Sequence, residues 1–477
     1  MFKKNNISPQ WLLFILIIFF GLLFRIYLIF SRDIFTDEVF YTYVAINNSY
    51  REILNVNHWI KDHGIFYLLS LKFLTYFSQN IFYLRLFNLI PYLLTSFFLY
   101  RFFIIFDFGY LALVSVFLYS FLSYFVFIQS LVLPFNLVLL FSTIALISLI
   151  TFIFSKKSTN SNLIIFTFSS ILAFYSDYSS GYFFLSLIPV FFWMVVKEKK
   201  KFLAFISSGL TITIGVLPGV YFIINNLKSF SSLNSDTYLQ SINFWQYLRL
   251  FSDIMIFRIG GSTSLLVLIA MLVTIFYIGM KSKKGFLKFI SYFCLSTVII
   301  NVLFVYLFSK KFFFIFVERS FWHFYLIEIF SISIIFFFFK NKKIYLFILL
   351  LGTLLIMCTR LIDFRGSYFP GRIPDRNINY KSLADDIKKN YRNSQNINIL
   401  YSDNGFTFVP LSQYYLKDYS SFKITKNNST IVDKKKPSIL IEFDQFERNT
   451  TEVFGKNPPV IYKIECDTKN CQFLKEK

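Results

Sequence analysis

The chain has 477 residues, of which 56% are hydrophobic and only 16% are charged. Soluble domains carry about 25% charged residues, so this composition excludes a soluble protein and indicates an integral membrane protein. The net charge of +22 is explained by basic cytoplasmic loops and a basic surface facing anionic lipid, and no segment resembles a nucleic-acid-binding module.

Apolar runs of the length that crosses a bilayer as a helix follow one another as far as residue 362. The first, Trp11 to Phe30, is too long for the apolar part of a signal peptide and predicts a first spanning helix. Ten further candidates follow: 84–106, 109–128, 134–154, 163–180, 182–196, 202–224, 262–280, 286–308, 320–339 and 344–362. The sequence therefore predicts an α-helical polytopic membrane protein with about 11 to 13 transmembrane helices.

Lysine clusters between these runs fix the predicted orientation. In the arrangement with 11 spans they all fall on one face, which the positive-inside rule makes cytoplasmic, together with the N-terminus. The short apolar segment 64–77 is predicted to lie in the opposite interface, inside a long first external loop at 31–83. A multi-pass protein of a bacterial inner membrane is expected.

The composition changes sharply after the last run. The segments "PSILIEF" and "PVIYKIE" have the pattern of strands, and the preceding residues read as helix, strand and helix. The sequence predicts a transmembrane domain at 1–363 and a soluble extracytoplasmic α/β domain at 364–477. Cys466 and Cys471 lie in this tail, and they form a disulfide if it is outside the cytoplasm or stay thiols if it is inside.

An acidic pair follows the first span, in "RDIFTDEVFYTYVAINN". A carboxylate at the mouth of a membrane cavity can deprotonate a hydroxyl or bind a divalent metal. Asp37 and Glu38, directly after Thr36, also fit an ordinary helix N-terminus, where acids interact favourably with the helix dipole. The residues alone leave both interpretations open.

Three later segments extend the pattern: "KDHGIFYLL" with His63, "LRLFNLIPYLL" with Arg85, and "FYSDYSSGYFFL" with Asp177. The order resembles the GT-C glycosyltransferases, in particular the family 39-like branch of protein O-mannosyltransferases and the lipid A aminoarabinose transferase. Those enzymes take a sugar from a polyprenyl-phosphate carrier on the non-cytoplasmic side. Gly64 and Ile65 stand where that family has two prolines, and Asp177 stands where it commonly has histidine.

The resemblance, together with the placement of two arginines at the outer start of membrane helices, gives expected roles for five residues. Asp37 matches the position of the catalytic acid and is expected to be the general base, and Glu38 is expected to orient the acceptor or shift the pKa of Asp37. Arg85 and Arg319 are expected to bind the donor phosphate, with His63 contacting the phosphate or the acceptor. Snorkelling to the interface is the alternative interpretation of both arginines.

Three further residues are candidates for the acceptor site or a cavity. His323 lies four residues after Arg319, on the same helix face, and Glu328 lies deeper in that helix. Asp177 equally fits a helix end, and Glu328 equally fits a pair with a cation.

The residues available to bind a metal differ from those of the family. Many of its members carry a second acid in the next external loop, whereas this chain has Gln129 and Asn136 there. No metal and no cofactor are predicted, and a divalent metal would need other ligands.

The predicted function is transfer of a hexose or pentose from a polyprenyl-phosphate donor to an extracytoplasmic hydroxyl of a protein, a lipid or a cell-surface glycan. The alternatives are a transporter or flippase for polyprenyl-linked glycans and a non-catalytic membrane scaffold. No internal repeat supports the transporter.

Overall fold

The computed structural model describes residues 9–31, 36–55, 64–154, 160–233, 243–255, 261–311 and 322–338, Lys389, and five strands between 397 and 475. The described residues before residue 339 are mainly helical. Among the described helices, six stretches are long and apolar enough to cross a membrane: Pro9–Phe30, Ile81–Ile105, Phe135–Phe154, Tyr178–Lys197, Lys199–Tyr221 and Gly285–Leu307. The protein is therefore a helical, multi-pass membrane protein whose partner is the lipid bilayer.

Seventeen α-helices are described, with one short 3₁₀ turn at Tyr178–Ser180. In chain order they are α1 Pro9–Ser31, α2 Thr36–Asn47, α3 Tyr50–Asn55, α4 Ile65–Thr75, α5 Ile81–Phe87, α6 Leu89–Ile105, α7 Gly109–Phe121, α8 Ser123–Gln129, α9 Phe135–Phe154, α10 Asn160–Ser176, α11 Gly181–Leu185, α12 Ile188–Lys197, α13 Lys199–Leu233, α14 Phe244–Met255, α15 Gly261–Lys281, α16 Gly285–Lys311 and α17 Trp322–Phe338.

Local sequence signals fix several helix starts. Ser49 and Glu52 form a capping box at α3, since each backbone N–H donates to the other's side chain, at 2.6 and 3.2 Å. Asn243 and Gln246 form the same reciprocal pair at α14, at 3.1 and 2.9 Å. These bonds satisfy backbone donors that a helix start otherwise leaves unpaired.

The helical core is centred on α9, the most buried of the six candidate spans. It packs against α6, α10 and α17, and α17 also packs against α7, where the Ser115 and Ser333 hydroxyls are 2.8 Å apart. Phe102, Phe286 and Phe330 belong to an aromatic cluster among α6, α16 and α17. The core therefore combines apolar packing with a few polar contacts between helices.

Four of the predicted runs are interrupted or end early in the described helices. The run 84–106 is divided at Asn88, between α5 and α6, and the run 182–196 is divided at Ser186 and Leu187, between α11 and α12. The run 109–128 is divided at Leu122, whose extended backbone (ψ 122°) separates α7 from α8. The run 163–180 ends as a helix at Ser176, because Asp177 is extended and begins the 3₁₀ turn. The segment 64–77 contains α4, and the run 344–362 lies outside the described residues.

The strands near the C-terminus form one mixed sheet. They are β1 Ile397–Tyr401, β2 Phe422–Lys426, β3 Ser438–Glu442, β4 Val460–Cys466 and β5 Cys471–Lys475. Their order is β2-β1-β3-β4-β5. β1 is parallel to β2 and β3, whereas β3–β4 and β4–β5 are antiparallel. β3 and β4 lie on the two segments that the sequence predicts as strands.

The chain divides into two compact units. One comprises Met1–Phe30 and Asn48–Thr359, with most of the helices, and the other comprises Ser31–Asn47 and Arg360–Lys477, with α2 and the sheet. The predicted division at 363 places α2 with the transmembrane domain, whereas here α2 groups with the C-terminal residues.

Candidate functional site

Polar side chains, all of them buried except the half-buried Asn88, line one contact region within the helical unit, where α1 meets α5, α6, α7 and α8. We call this set the polar seam, and its members are Arg25, Arg85, Asn88, Tyr92, Ser120 and Gln129. Arg85, Asn88 and Tyr92 are three and four residues apart, so they share one face of α5 and α6. On α1, Arg25 and Ile29 share a face by the same spacing.

Arg25 is fully buried and all of its guanidinium N–H groups have acceptors. Nε donates to Gln129 Oε1 at 2.7 Å, and Nη1 donates to the carbonyls of Gly21 and Ser120 at 2.9 and 2.8 Å. Nη2 donates to the Tyr119 carbonyl at 3.2 Å and also to Gln129 Oε1. Since a guanidinium has five N–H donors, Arg25 is saturated by neutral acceptors and has no donor left for a substrate.

The environment of Arg25 explains why Tyr92 and Gly21 occupy their positions. The Tyr92 ring centroid lies 3.8 Å from the Arg25 guanidinium carbon, and the Tyr92 hydroxyl is 3.0 Å from the Ser120 hydroxyl. A Cβ at Gly21 would lie only 2.3 Å from the Tyr92 hydroxyl oxygen. Glycine at this position therefore lets Tyr92 reach both partners.

Arg85 occupies the end of the seam nearest the C-terminus of α1. Its side chain is fully buried, and Nη1 donates to the Ile29 carbonyl at 2.9 Å. The guanidinium carbon lies 5.3 Å from the Phe82 ring centroid. Asn88, one turn further on, donates to the Leu131 carbonyl in the break between α8 and α9. Arg85 is thus buried within a polar contact region between helices. Snorkelling, in which the guanidinium reaches the membrane interface, does not describe this arrangement.

A second contact brings the start of α4 to the turn that contains Asp177. Gly64 donates its backbone N–H to the Ser176 carbonyl at 3.3 Å. Asp177, buried to 2% exposure, accepts a hydrogen bond from the Ser179 backbone N–H at 2.8 Å and caps the 3₁₀ turn. The residue after His63 thus lies against the residue before Asp177, and Asp177 itself occupies the capping position that its helix-end interpretation describes.

Gly64→Ala is expected to lower the free energy of unfolding by about 1 to 3 kcal/mol, the usual cost of overpacking. The new Cβ would lie 1.9 Å from the Tyr175 carbonyl oxygen, so the two backbone segments would have to separate. Denaturant unfolding in detergent, monitored by tryptophan fluorescence, measures the change in the free energy of unfolding.

Gly209→Ala is the matched control for that measurement. In the part of the chain that the structure describes, no atom lies within 4 Å of a Cβ at Gly209, which is inside α13. This change is expected to raise stability by about 0.5 to 1 kcal/mol, because alanine favours a helix. Equal stability of Gly64→Ala and the wild type would contradict the close approach.

The other predicted residues are distributed over several elements. Glu38 is fully buried in α2, and Asp37 is in the first turn of the same helix, with its side chain outside the described residues. Glu328 is buried in α17, and its Oε2 atom has no hydrogen-bond partner in the described part of the chain. His323 lies in the first turn of α17, but its side chain is not described.

His63 and Arg319 lie outside the described residues.

The sequence interpretation missed Arg25, Tyr92 and Ser120. Arg25 had a signal, since an arginine within an apolar run is costly in a bilayer unless it has partners. The sequence identifies Gln129 only as a residue at a position where related enzymes have a carboxylate. In the structure its amide oxygen accepts two hydrogen bonds from Arg25. Tyr92 and Ser120 had no signal, because both fit ordinary helix packing.

Within the described residues, no group of three or more His, Cys, Asp or Glu side chains is arranged to hold a metal ion. The absence of a metal and a cofactor stays a prediction. The chain matches no family model, no curated protein and no solved structure.

Proposed function

We propose that the protein is a membrane glycosyltransferase that resembles the GT-C enzymes. It moves a hexose or pentose from a polyprenyl-phosphate donor to a hydroxyl of a protein, a lipid or a cell-surface glycan. The membrane domain has about 11 spans and the C-terminal α/β domain lies outside the cytoplasm, in accord with the positive-inside rule.

The observation that carries the proposal is the position of Arg85. Its guanidinium is fully buried beside the Ile29 carbonyl, near the end of α1. A guanidinium can bind a phosphate with two parallel hydrogen bonds and neutralise the charge of the leaving group. A buried cation near the end of the first helix therefore suits a donor whose phosphate is at the membrane surface.

The reaction assigns one task to each group. Asp37 accepts the proton of the acceptor hydroxyl as that oxygen attacks the anomeric carbon. The bond from the anomeric carbon to the phosphate oxygen breaks, and the polyprenyl phosphate leaves with its electron pair. Arg85 and Arg319 stabilise that phosphate, His63 contacts the phosphate or the acceptor, and Glu38 orients the acceptor.

Three residues stay candidates for the acceptor site or a cavity. Asp177 holds the turn that lies against Gly64, so it is proposed to position the segment that follows His63. His323 and Glu328 share α17.

The test uses the full-length protein in detergent with a panel of radiolabelled polyprenyl-phosphate sugars. Water serves as a slow default acceptor, so donor hydrolysis alone reports activity. One donor is expected to be consumed by the native protein and not by a heat-denatured sample. Consumption of none of them would contradict the transferase.

Glu328 favours the second candidate, a transporter or flippase for polyprenyl-linked glycans. Its carboxylate is buried in an apolar helix, and one of its oxygens has no partner among the described residues; such a carboxylate is expensive and is usually kept for a function. Reconstituted vesicles separate the two candidates, because a flippase changes the accessibility of a labelled lipid-linked glycan and leaves its sugar–phosphate bond intact.

A further inference from the structure

The last two strands place two cysteines directly opposite each other. β4 and β5 are antiparallel, and Cys466 is the Cα partner of Cys471. Opposed residues of an antiparallel pair have Cα atoms about 4.5 to 5.5 Å apart, within the range of about 4.4 to 6.8 Å that a disulfide requires. We propose that Cys466 and Cys471 form an intramolecular disulfide that closes the β4–β5 hairpin.

The register makes this pairing specific. Five residue pairs run along the two strands, from Tyr462 and Lys475 to the cysteines, which are the last pair before the loop. Side chains directly opposite each other in an antiparallel pair lie on the same face of the sheet, whereas a slip of one residue would move one cysteine to the other face. The spacing of the cysteines in the sequence leaves the pairing open, and the register selects it.

Full burial makes Cys294 a poor competitor for this pairing. Cys294 is a free thiol, fully buried in α16 of the helical unit. Cys358 lies outside the described residues.

The oxidation needs a partner of defined chemistry. Each thiol gives up one proton and one electron as the S–S bond forms, and a disulfide of a thiol–disulfide oxidoreductase takes up both electrons and both protons to become a dithiol. Such oxidants act outside the cytoplasm. The inference therefore rests on the extracytoplasmic placement of the tail proposed above.

The disulfide has a structural consequence for the edge of the sheet. β5 is an edge strand, with β4 as its only neighbour in the described sheet. An edge strand that separates exposes unpaired backbone groups that can pair with another chain. A covalent link at the hairpin end keeps β5 in register and protects this edge.

The sequence makes the test direct. Full-length protein is taken from membranes, its free thiols are blocked with N-ethylmaleimide under denaturing conditions, and it is cut with trypsin. Cleavage after Lys463, Lys469 and Lys475 puts Cys466 in the peptide IECDTK and Cys471 in NCQFLK. A single mass for the two linked peptides is expected, and reduction should separate them.

Matched variants identify the link. Cys466→Ser should leave the NCQFLK peptide alkylated by N-ethylmaleimide, and Cys294→Ser should leave the linked mass unchanged. Two separately alkylated peptides from the wild type would overturn the proposal, as would a link between two copies of one peptide.

The location of the tail is measured separately, with alkaline phosphatase fused after Lys477. This enzyme becomes active only outside the cytoplasm of a bacterial cell. An active fusion with alkylated cysteines would overturn the disulfide alone, whereas an inactive fusion with alkylated cysteines would overturn both the disulfide and the proposed orientation. The donor assay tests the transferase independently of both.

Discussion

Asp37→Asn is expected to lower the rate of donor consumption by about 10² to 10⁴-fold, the usual contribution of a general base. An amide of nearly the same shape cannot accept the proton of the acceptor hydroxyl. Asp37 lies in the first turn of α2, where a carboxylate also interacts with the helix dipole. That interaction contributes only about 0.3 to 1 kcal/mol, so the variant should fold and the loss should appear in the rate.

Glu52→Gln is the control for the loss of a carboxylate in the same region. Glu52 is exposed in α3, where the Ser49 backbone N–H bonds its carboxylate and lowers its pKa. Glutamine is accepted at this position of a capping box, so both the fold and the activity should be retained. Equal rates for Asp37→Asn, Glu52→Gln and the wild type would remove Asp37 from the reaction and leave it as a helix-start residue.

Most of the helices could be predicted from the sequence, because the length of each apolar run can be counted directly from the residues. The run 134–154 became α9 and the run 286–308 lies within α16. The interruption at Leu122 could not be predicted, since hydropathy reports the side chain whereas the interruption is a backbone conformation.

Contacts between distant residues account for most of what the sequence left open. Arg85 was predicted as a site residue from its place in a motif, but its acceptor, the Ile29 carbonyl, lies 56 residues away. Arg25 and Gln129 are 104 residues apart, and only packing of α1 against α8 brings them together. In the same way, the pairing of Cys466 with Cys471 depends on strand register, which spacing alone does not define.

Arg25→Ala is expected to lower the free energy of unfolding by about 3 to 5 kcal/mol, the cost of removing one partner from a buried charged network. The change leaves the carbonyls of Tyr119 and Ser120 without their side-chain donor in the last turn of α7, and it leaves the Gln129 amide oxygen without its donors. It also removes a cation from the negative end of the α7 dipole. Denaturant unfolding in detergent measures the effect.

Arg101→Ala provides the control, because Arg101 is an exposed arginine on α6 and surface substitutions usually change stability by less than about 0.5 kcal/mol. The loss of stability in Arg25→Lys should fall between those of Arg101→Ala and Arg25→Ala, since an ammonium has three N–H donors and a guanidinium has five.

The activity of Arg25→Lys is a separate prediction. Because every N–H group of Arg25 already has an acceptor within the protein, the rate at which the folded protein consumes the sugar donor should be unchanged in this variant. A lower rate at full folded content would show that Arg25 also acts in the reaction, and an unchanged unfolding midpoint for Arg25→Ala would show that the polar seam does not hold α1 in place.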